Sequence, residues 1–131
     1  MTRVATMILV AASLALVIGC SSGGSGSSPN VEGGKQISAT TMAEKISLCD
    51  WFVGMVGGYG AAPTCQQGFI EAPSDQAECV STFPTCAVTV GTFEACIETI
   101  VSAQRTCTSQ SLAGAQADPT CQMVGAAGCF N

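Results

Sequence analysis

The sequence predicts an all-α domain of three to four short helices that is stapled by disulfides. Apolar residues recur at spacings of three and four in several segments, as one face of a helix requires. Side chains that typically cap helices precede these segments. Eight cysteines are spread through the same region, and β-branched residues are abundant only in residues 85–90, where we expect a short extended segment.

The first helix is predicted over residues 42–56. Thr41 and Glu44 have the spacing of a capping box, in which both side chains satisfy free backbone N–H groups. Gly57 and Gly58 end the helix. The apolar stripe consists of Met42, Ile46, Cys49, Val53 and Val56, widened by Leu48 and Phe52. Trp51 falls beside this stripe, and because so small a domain needs its large side chains inside, we expect it in the core.

Three further helices follow from start and stop signals. One should run over residues 75–83, between the cap Asp75 and the stop Pro84. Another should begin at Thr92 and end near Arg105, with Glu94 and Glu98 facing outward. Its inward side chains should be Phe93, Cys96, Ile97, Ile100 and Val101. A short helix over residues 120–124 should follow Asp118 and Pro119, because proline fits the first helical position.

The start of the chain has the parts of an export signal. Arg3 precedes an uncharged run over residues 4–18, and the small residue Gly19 follows it. A membrane-spanning helix needs about 20 apolar residues, whereas this run gives way to serine and glycine after Cys20. We therefore expect cleavage.

The residues Val17-Ile18-Gly19-Cys20 resemble the lipobox of bacterial lipoproteins. This resemblance implies that residues 1–19 are a signal peptide and that Cys20 carries fatty acyl chains such as palmitate. The serine at position 21 implies sorting to the outer rather than the inner membrane. Through these residues and their flanks, the chain resembles small cysteine-rich lipoproteins of the bacterial cell envelope.

Residues 20–35 form the lipidated cysteine and a tether, and residues 36–131 form the cysteine-rich helical domain. The tether is rich in serine and glycine, so we expect a flexible coil with a reach of roughly 20 Å. Its composition buries no apolar surface, which places the start of the domain near Gln36.

The number of cysteines is consistent with lipid on Cys20. The chain has nine cysteines, and an odd number in an exported protein calls for an explanation. Setting Cys20 aside leaves an even number that can pair completely. The eight predicted disulfide cysteines, in an arrangement that the sequence leaves open, are Cys49, Cys65, Cys79, Cys86, Cys96, Cys107, Cys121 and Cys129.

Composition argues against several classes of function. The chain has no histidine, which removes histidine-assisted nucleophiles and histidine metal ligands. At least six residues separate successive cysteines, which is unlike structural zinc sites. Beyond the signal, three basic residues stand against nine acidic ones, a formal balance of −6 that disfavours nucleic acid. We expect no metal and no cofactor.

Three hypotheses for function remain. The first is a non-enzymatic lipoprotein, anchored in the membrane through Cys20, whose domain contacts an envelope protein, a glycan or another surface. The second is a carrier for a small apolar ligand held between helices. The third is a hydrolase, which requires several clustered carboxylates to converge in one cleft: Glu71, Asp75, Glu78, Glu94 and Glu98.

Overall fold

A computed structural model describes residues 29–68 and 70–130 of the chain. A short 3-10 helix, Ile37–Ala39, precedes five α-helices. These are α1 (Met42–Val56), α2 (Gln76–Thr82), α3 (Val90–Thr106), α4 (Ser109–Ala117) and α5 (Pro119–Ala126). The described residues form no strand beyond an isolated antiparallel bridge between Gln36 and Thr89. The prediction of a small all-α domain with disulfides is therefore confirmed.

Helix α1 has the predicted bounds and the predicted cap. The backbone N–H of Glu44 donates to Thr41 Oγ1 over 3.3 Å, and the N–H of Thr41 donates to Glu44 Oε2 over 2.7 Å. Gly57 closes the helix in the left-handed conformation, with φ of 104°. Trp51 is buried as expected, but Met42 is 64% exposed, because the first turn extends beyond the surface that packs on the core.

Helix α3 is the centre of the domain. It packs mainly against α4 and α5, and α1 packs against α2 and more lightly against α3. The buried side chains of α3 include the predicted set Phe93, Cys96, Ile97, Ile100 and Val101. Its amphipathic pattern therefore predicted the buried face of this helix correctly.

Three details of the helix prediction are wrong. Helix α3 begins at Val90 rather than Thr92, because Thr89 caps it, so the expected extended segment over residues 85–90 is mostly a loop. The described chain has five α-helices, and α4 was not predicted. That helix buries only Leu112 and Ala115, and its capping box uses a serine, Ser111, in place of glutamate or glutamine.

The two aspartate caps are confirmed. The Asp75 side chain accepts from the N–H of Glu78 over 2.8 Å, and Asp118 accepts from the N–H groups of Thr120 and Cys121. The carboxylate of Glu78 accepts from the N–H and the hydroxyl of Ser74, just before the cap, each over 2.6 Å. Side chains at both sides of the turn therefore fix the start of α2.

Residues 29–35, which the sequence placed in the tether, lie against the domain. Val31 packs on the core, and the N–H groups of Gly91 and Val90 donate to the carbonyls of Gly33 and Lys35. The Lys35 ammonium contacts both oxygens of Glu44, at 2.8 and 2.7 Å. Hydrogen bonding from Lys35 is the largest cause of the lowered pKa of Glu44, which is about 2.

A polar cluster joins α1, the loop after it and α2. The phenol of Tyr59 donates to Asp50 Oδ1 over 2.7 Å, and the side-chain amide of Gln76 donates to the same oxygen over 2.9 Å. Burial raises the pKa of Tyr59, and the hydrogen bond to the Asp50 carboxylate raises it further, to about 12.

We expect the absorbance titration of Tyr59, the one tyrosine of the chain, to have its midpoint near pH 12. Asp50→Asn should move the midpoint down toward the ordinary value of about 10, because it removes the negative charge beside the phenol. Since the folded pKa lies above the unfolded one, the stabilisation is complete below about pH 10 and is lost as the pH rises toward 12. Glu98→Gln, which removes a carboxylate outside this cluster, should leave the midpoint unchanged. A wild-type midpoint near pH 10 would contradict the burial of Tyr59 and its hydrogen bond to Asp50.

Candidate functional site

All eight cysteines of the domain are paired in the structure. The pairs are Cys49–Cys79, Cys65–Cys107, Cys86–Cys129 and Cys96–Cys121. The first joins α1 to α2 and the last joins α3 to α5. The proposed lipidation site Cys20, with the rest of the lipobox, lies outside the described residues.

The loop between α1 and α2 is held on α3 by a buried glutamine. Gln104 is 4% exposed, and its side-chain amide forms two hydrogen bonds with the backbone of Ile70, an arrangement that we call the Gln104 clamp. The N–H of Ile70 donates to Gln104 Oε1 over 3.2 Å, and Gln104 Nε2 donates to the Ile70 carbonyl over 3.0 Å. A Cβ atom at Gly68 would collide with Gln104 Nε2, so the clamp needs a glycine there. The neighbouring bridge Cys65–Cys107 ties the same loop to the end of α3.

Several grooves border this loop, and two of them concern the function. The first is the acidic groove, of about 380 Å³. Its polar side chains are Glu71, Glu78 and Thr82. The rings of Phe83 and Phe93 are in tilted contact, with centroids 5.8 Å apart. The remaining lining residues are Phe52, Ile70, Ala72, Pro73, Cys79, Pro84 and Ile97.

The second is the apolar groove, of about 490 Å³, between the loop, α3, α4 and α5. It has no charged side chain, and its polar members are the amides of Gln116 and Gln122. Phe130, which lines the groove, is 49% exposed. The other lining residues are Ile70, Ile100, Ala115, Cys121, Gly125 and Ala126. Pockets of this size and apolar character are where proteins bury small ligands.

The five carboxylates that a hydrolase would need are divided between different places. Glu71 and Glu78 line the acidic groove, whereas Asp75 caps α2. Glu94 and Glu98 lie on α3 and do not line that groove. The hydrogen bonds from the hydroxyl and the N–H of Ser74 lower the pKa of Glu78, which keeps it ionised rather than available as an acid.

The prediction that Glu94 faces outward is wrong in part. Glu98 is exposed, but Glu94 is half-buried, and its Oε1 is buried without a hydrogen-bond partner among the described residues. Burial raises the pKa of Glu94, and the negative charge of Glu98 raises it further. Glu94 follows the buried Phe93 at the margin of the buried face of α3. Its side chain therefore lies partly inside and partly outside the core.

Neither a spanning helix nor a metal cluster occurs within residues 29–68 and 70–130. No helix there has the length and apolar composition that crossing a membrane requires. These residues also contain no group of three or more cysteine, aspartate or glutamate side chains that could hold a metal ion.

Comparison with protein-family models, with curated proteins and with solved structures finds no match for this chain. Its function therefore has to be inferred from the chemistry of its own residues. The two grooves and the clamp that positions their shared wall supply that chemistry.

Sequence reasoning found the cysteines but not the grooves. Both grooves share Ile70, which lies in a segment without periodicity, and the clamp joins residues that are 34 positions apart. Gln104 carried one weak signal, because it is a polar residue at a position where the helical period of α3 predicts an inward side chain.

We expect Gln104→Leu to lower the free energy of unfolding by roughly 2–4 kcal/mol, because each buried backbone group left unpaired costs about 1–3 kcal/mol. Urea unfolding with the disulfides intact measures this, and hydrogen exchange should show that the Ile70 amide loses its protection. Gln110→Leu, at an exposed position of α4, should change stability by less than about 0.5 kcal/mol. Equal effects of the two substitutions would rule out the clamp.

Proposed function

We propose that this chain is a non-enzymatic lipoprotein of the bacterial cell envelope. Acyl chains on Cys20 anchor it in a membrane, and Ser21 favours the outer over the inner membrane. The disulfide-stapled helical domain is displayed at the membrane surface, where it contacts another macromolecule.

The complete pairing of the domain cysteines is the observation that carries this proposal. Four disulfides use all eight cysteines from Cys49 to Cys129. Of the nine cysteines in the chain, only Cys20 is then left for another role. It is the same cysteine that ends the lipobox-like residues, so two independent features point to one residue.

The disulfides also support a location outside the cytoplasm. Cytosolic thiols are kept reduced, whereas exported domains of this size depend on disulfides for stability. A lipid anchor is consistent with this location, since several acyl chains together hold a protein on a membrane almost permanently. Eight residues, all serine or glycine, lie between Cys20 and Pro29, the first described residue, and they supply a spacer between anchor and domain.

A binding role is favoured over catalysis by the distribution of polar side chains. The chain has no histidine, and the carboxylates that would have to converge lie partly in the acidic groove and partly on α3. Two grooves flank a loop that is fixed by a disulfide and by the Gln104 clamp. A rigid surface of this kind suits recognition, because binding then costs little conformational entropy.

We expect Cys20→Ser to abolish metabolic labelling with a clickable palmitate analogue and to shift the mature chain out of the membrane fraction. The serine cannot form the thioether that carries the diacylglycerol. Ser22→Ala, two residues away, is the matched control and should keep both the label and the membrane fraction. Absence of label on the wild-type chain would contradict the anchor.

A second candidate function, a carrier for a small apolar ligand, is favoured by the apolar groove alone. Its uncharged lining and its volume of about 490 Å³ fit a neutral apolar molecule. We expect N-phenylnaphthylamine to gain fluorescence on the purified chain, and Gly125→Leu to weaken this gain by filling the groove. Gly54→Leu places the same side chain at another helical glycine with open space around it, on α1, and should have no effect. Equal effects of Gly125→Leu and Gly54→Leu on the fluorescence gain would contradict the carrier function.

A further inference from the structure

We infer that the acidic groove binds an extended polypeptide segment that carries basic side chains between apolar ones. This inference rests on the proposed role of the domain in binding a macromolecule, and it specifies the chemistry of the partner. The charge of the groove, its apolar walls and the backbone along one side each contribute to the inference.

The groove carries two carboxylates that no cation neutralises. The described part of the chain has three basic side chains, and none of them lines the groove. Lys35 pairs with Glu44, and Arg105 donates to the carbonyl of Met55. Glu71 is exposed and forms no hydrogen bond with a described residue, and Glu78 uses only Oε2, which accepts from Ser74. Carboxylate oxygens are therefore available for an incoming ammonium or guanidinium group.

The walls of the groove complement the aliphatic part of such a side chain. Phe52, Phe83 and Phe93 supply aromatic surface, and Pro73 and Pro84 supply rigid apolar surface beside it. Lysine and arginine bury their methylene stems on apolar surface while the charged end meets polar groups. A cation near an aromatic face gains additional electrostatic attraction.

The backbone along the groove favours a polypeptide over a small cation. Residues 70–73 belong to no helix or turn, and they line the groove. The Gln104 clamp occupies the N–H and the carbonyl of Ile70, but the N–H groups of Glu71 and Ala72 bond to no described residue. An extended peptide can pair with such a segment through its main chain while alternate side chains enter the groove. A volume of about 380 Å³ holds more than one side chain.

The test is a fluorescence-anisotropy titration of the full chain carrying Cys20→Ser, so that the state of the lipid anchor has no influence on the result. The probe is a labelled peptide of alternating lysine and valine, and the comparison peptides replace lysine by glutamine or by glutamate. We expect the lysine peptide to bind, the others to bind at least about tenfold more weakly, and binding to weaken as salt is raised. Equal binding of the three peptides overturns the inference.

Variants locate the binding on the chain. Glu71→Gln combined with Glu78→Gln should raise the Kd for the lysine peptide by roughly three- to tenfold, as loss of exposed ion pairs does. Glu32→Gln combined with Glu98→Gln removes the same charge from exposed positions outside the groove and should change the Kd by less than about twofold. Equal effects of the two pairs would place the binding elsewhere and overturn the inference.

Two further measurements complete the test. Thr82→Arg places a cation in the groove at an exposed position and should abolish binding while the circular dichroism spectrum is unchanged. Retention of full affinity by this folded variant would contradict the site.

Spermine is the competitor that separates a polypeptide from a small cation, because it carries charge but no apolar side chains and no peptide backbone. Displacement by spermine at the same concentration as the unlabelled peptide would contradict the polypeptide partner.

Discussion

The position of α3 is fixed by covalent bonds at its start, its middle and its end. Cys86 lies just before the helix and is bonded to Cys129, Cys96 lies within it and is bonded to Cys121, and Cys107 caps it and is bonded to Cys65. These bridges close loops of 25 to 43 residues, for which the loop-closure estimate is about 3–4 kcal/mol each. The net stability of a small domain is only about 5–15 kcal/mol, so the bridges are a large part of what keeps this one folded.

The shape of the two grooves depends on this arrangement, because the wall that they share is a loop. Residues 57–75 contain no regular secondary structure in their described part, yet they are attached at several points. Tyr59 donates to Asp50, Cys65 is bonded to Cys107, and Ile70 is clamped by Gln104. A loop that is held in this way can present Glu71 and the backbone beside it in one conformation. Since Ile70 borders both grooves, movement of the loop would change both.

The sequence predicted the parts of the fold that depend on local interactions. The caps at Thr41, Asp75 and Asp118 depend on side chains within a few residues of the backbone groups they satisfy, so their spacing is visible along the chain. The same holds for the buried face of α3. Helix α4 was missed because it buries only two side chains, Leu112 and Ala115, and it is held mainly by packing against α3 and α5. The ion pair of Lys35 with Glu44 and the clamp of Gln104 on Ile70 join distant residues, and no local pattern encodes them.

The cysteine pairing underlies both the fold and the assignment of Cys20 to the anchor, and peptide mapping tests it most directly. The non-reduced chain, with any free thiols alkylated first, is digested and its linked peptides are identified by mass spectrometry. The linked pairs should be Cys49–Cys79, Cys65–Cys107, Cys86–Cys129 and Cys96–Cys121, with no alkylated cysteine among these eight. A bridge from Cys20 to any of them, or a free thiol in the domain, would contradict both the pairing and the role of Cys20.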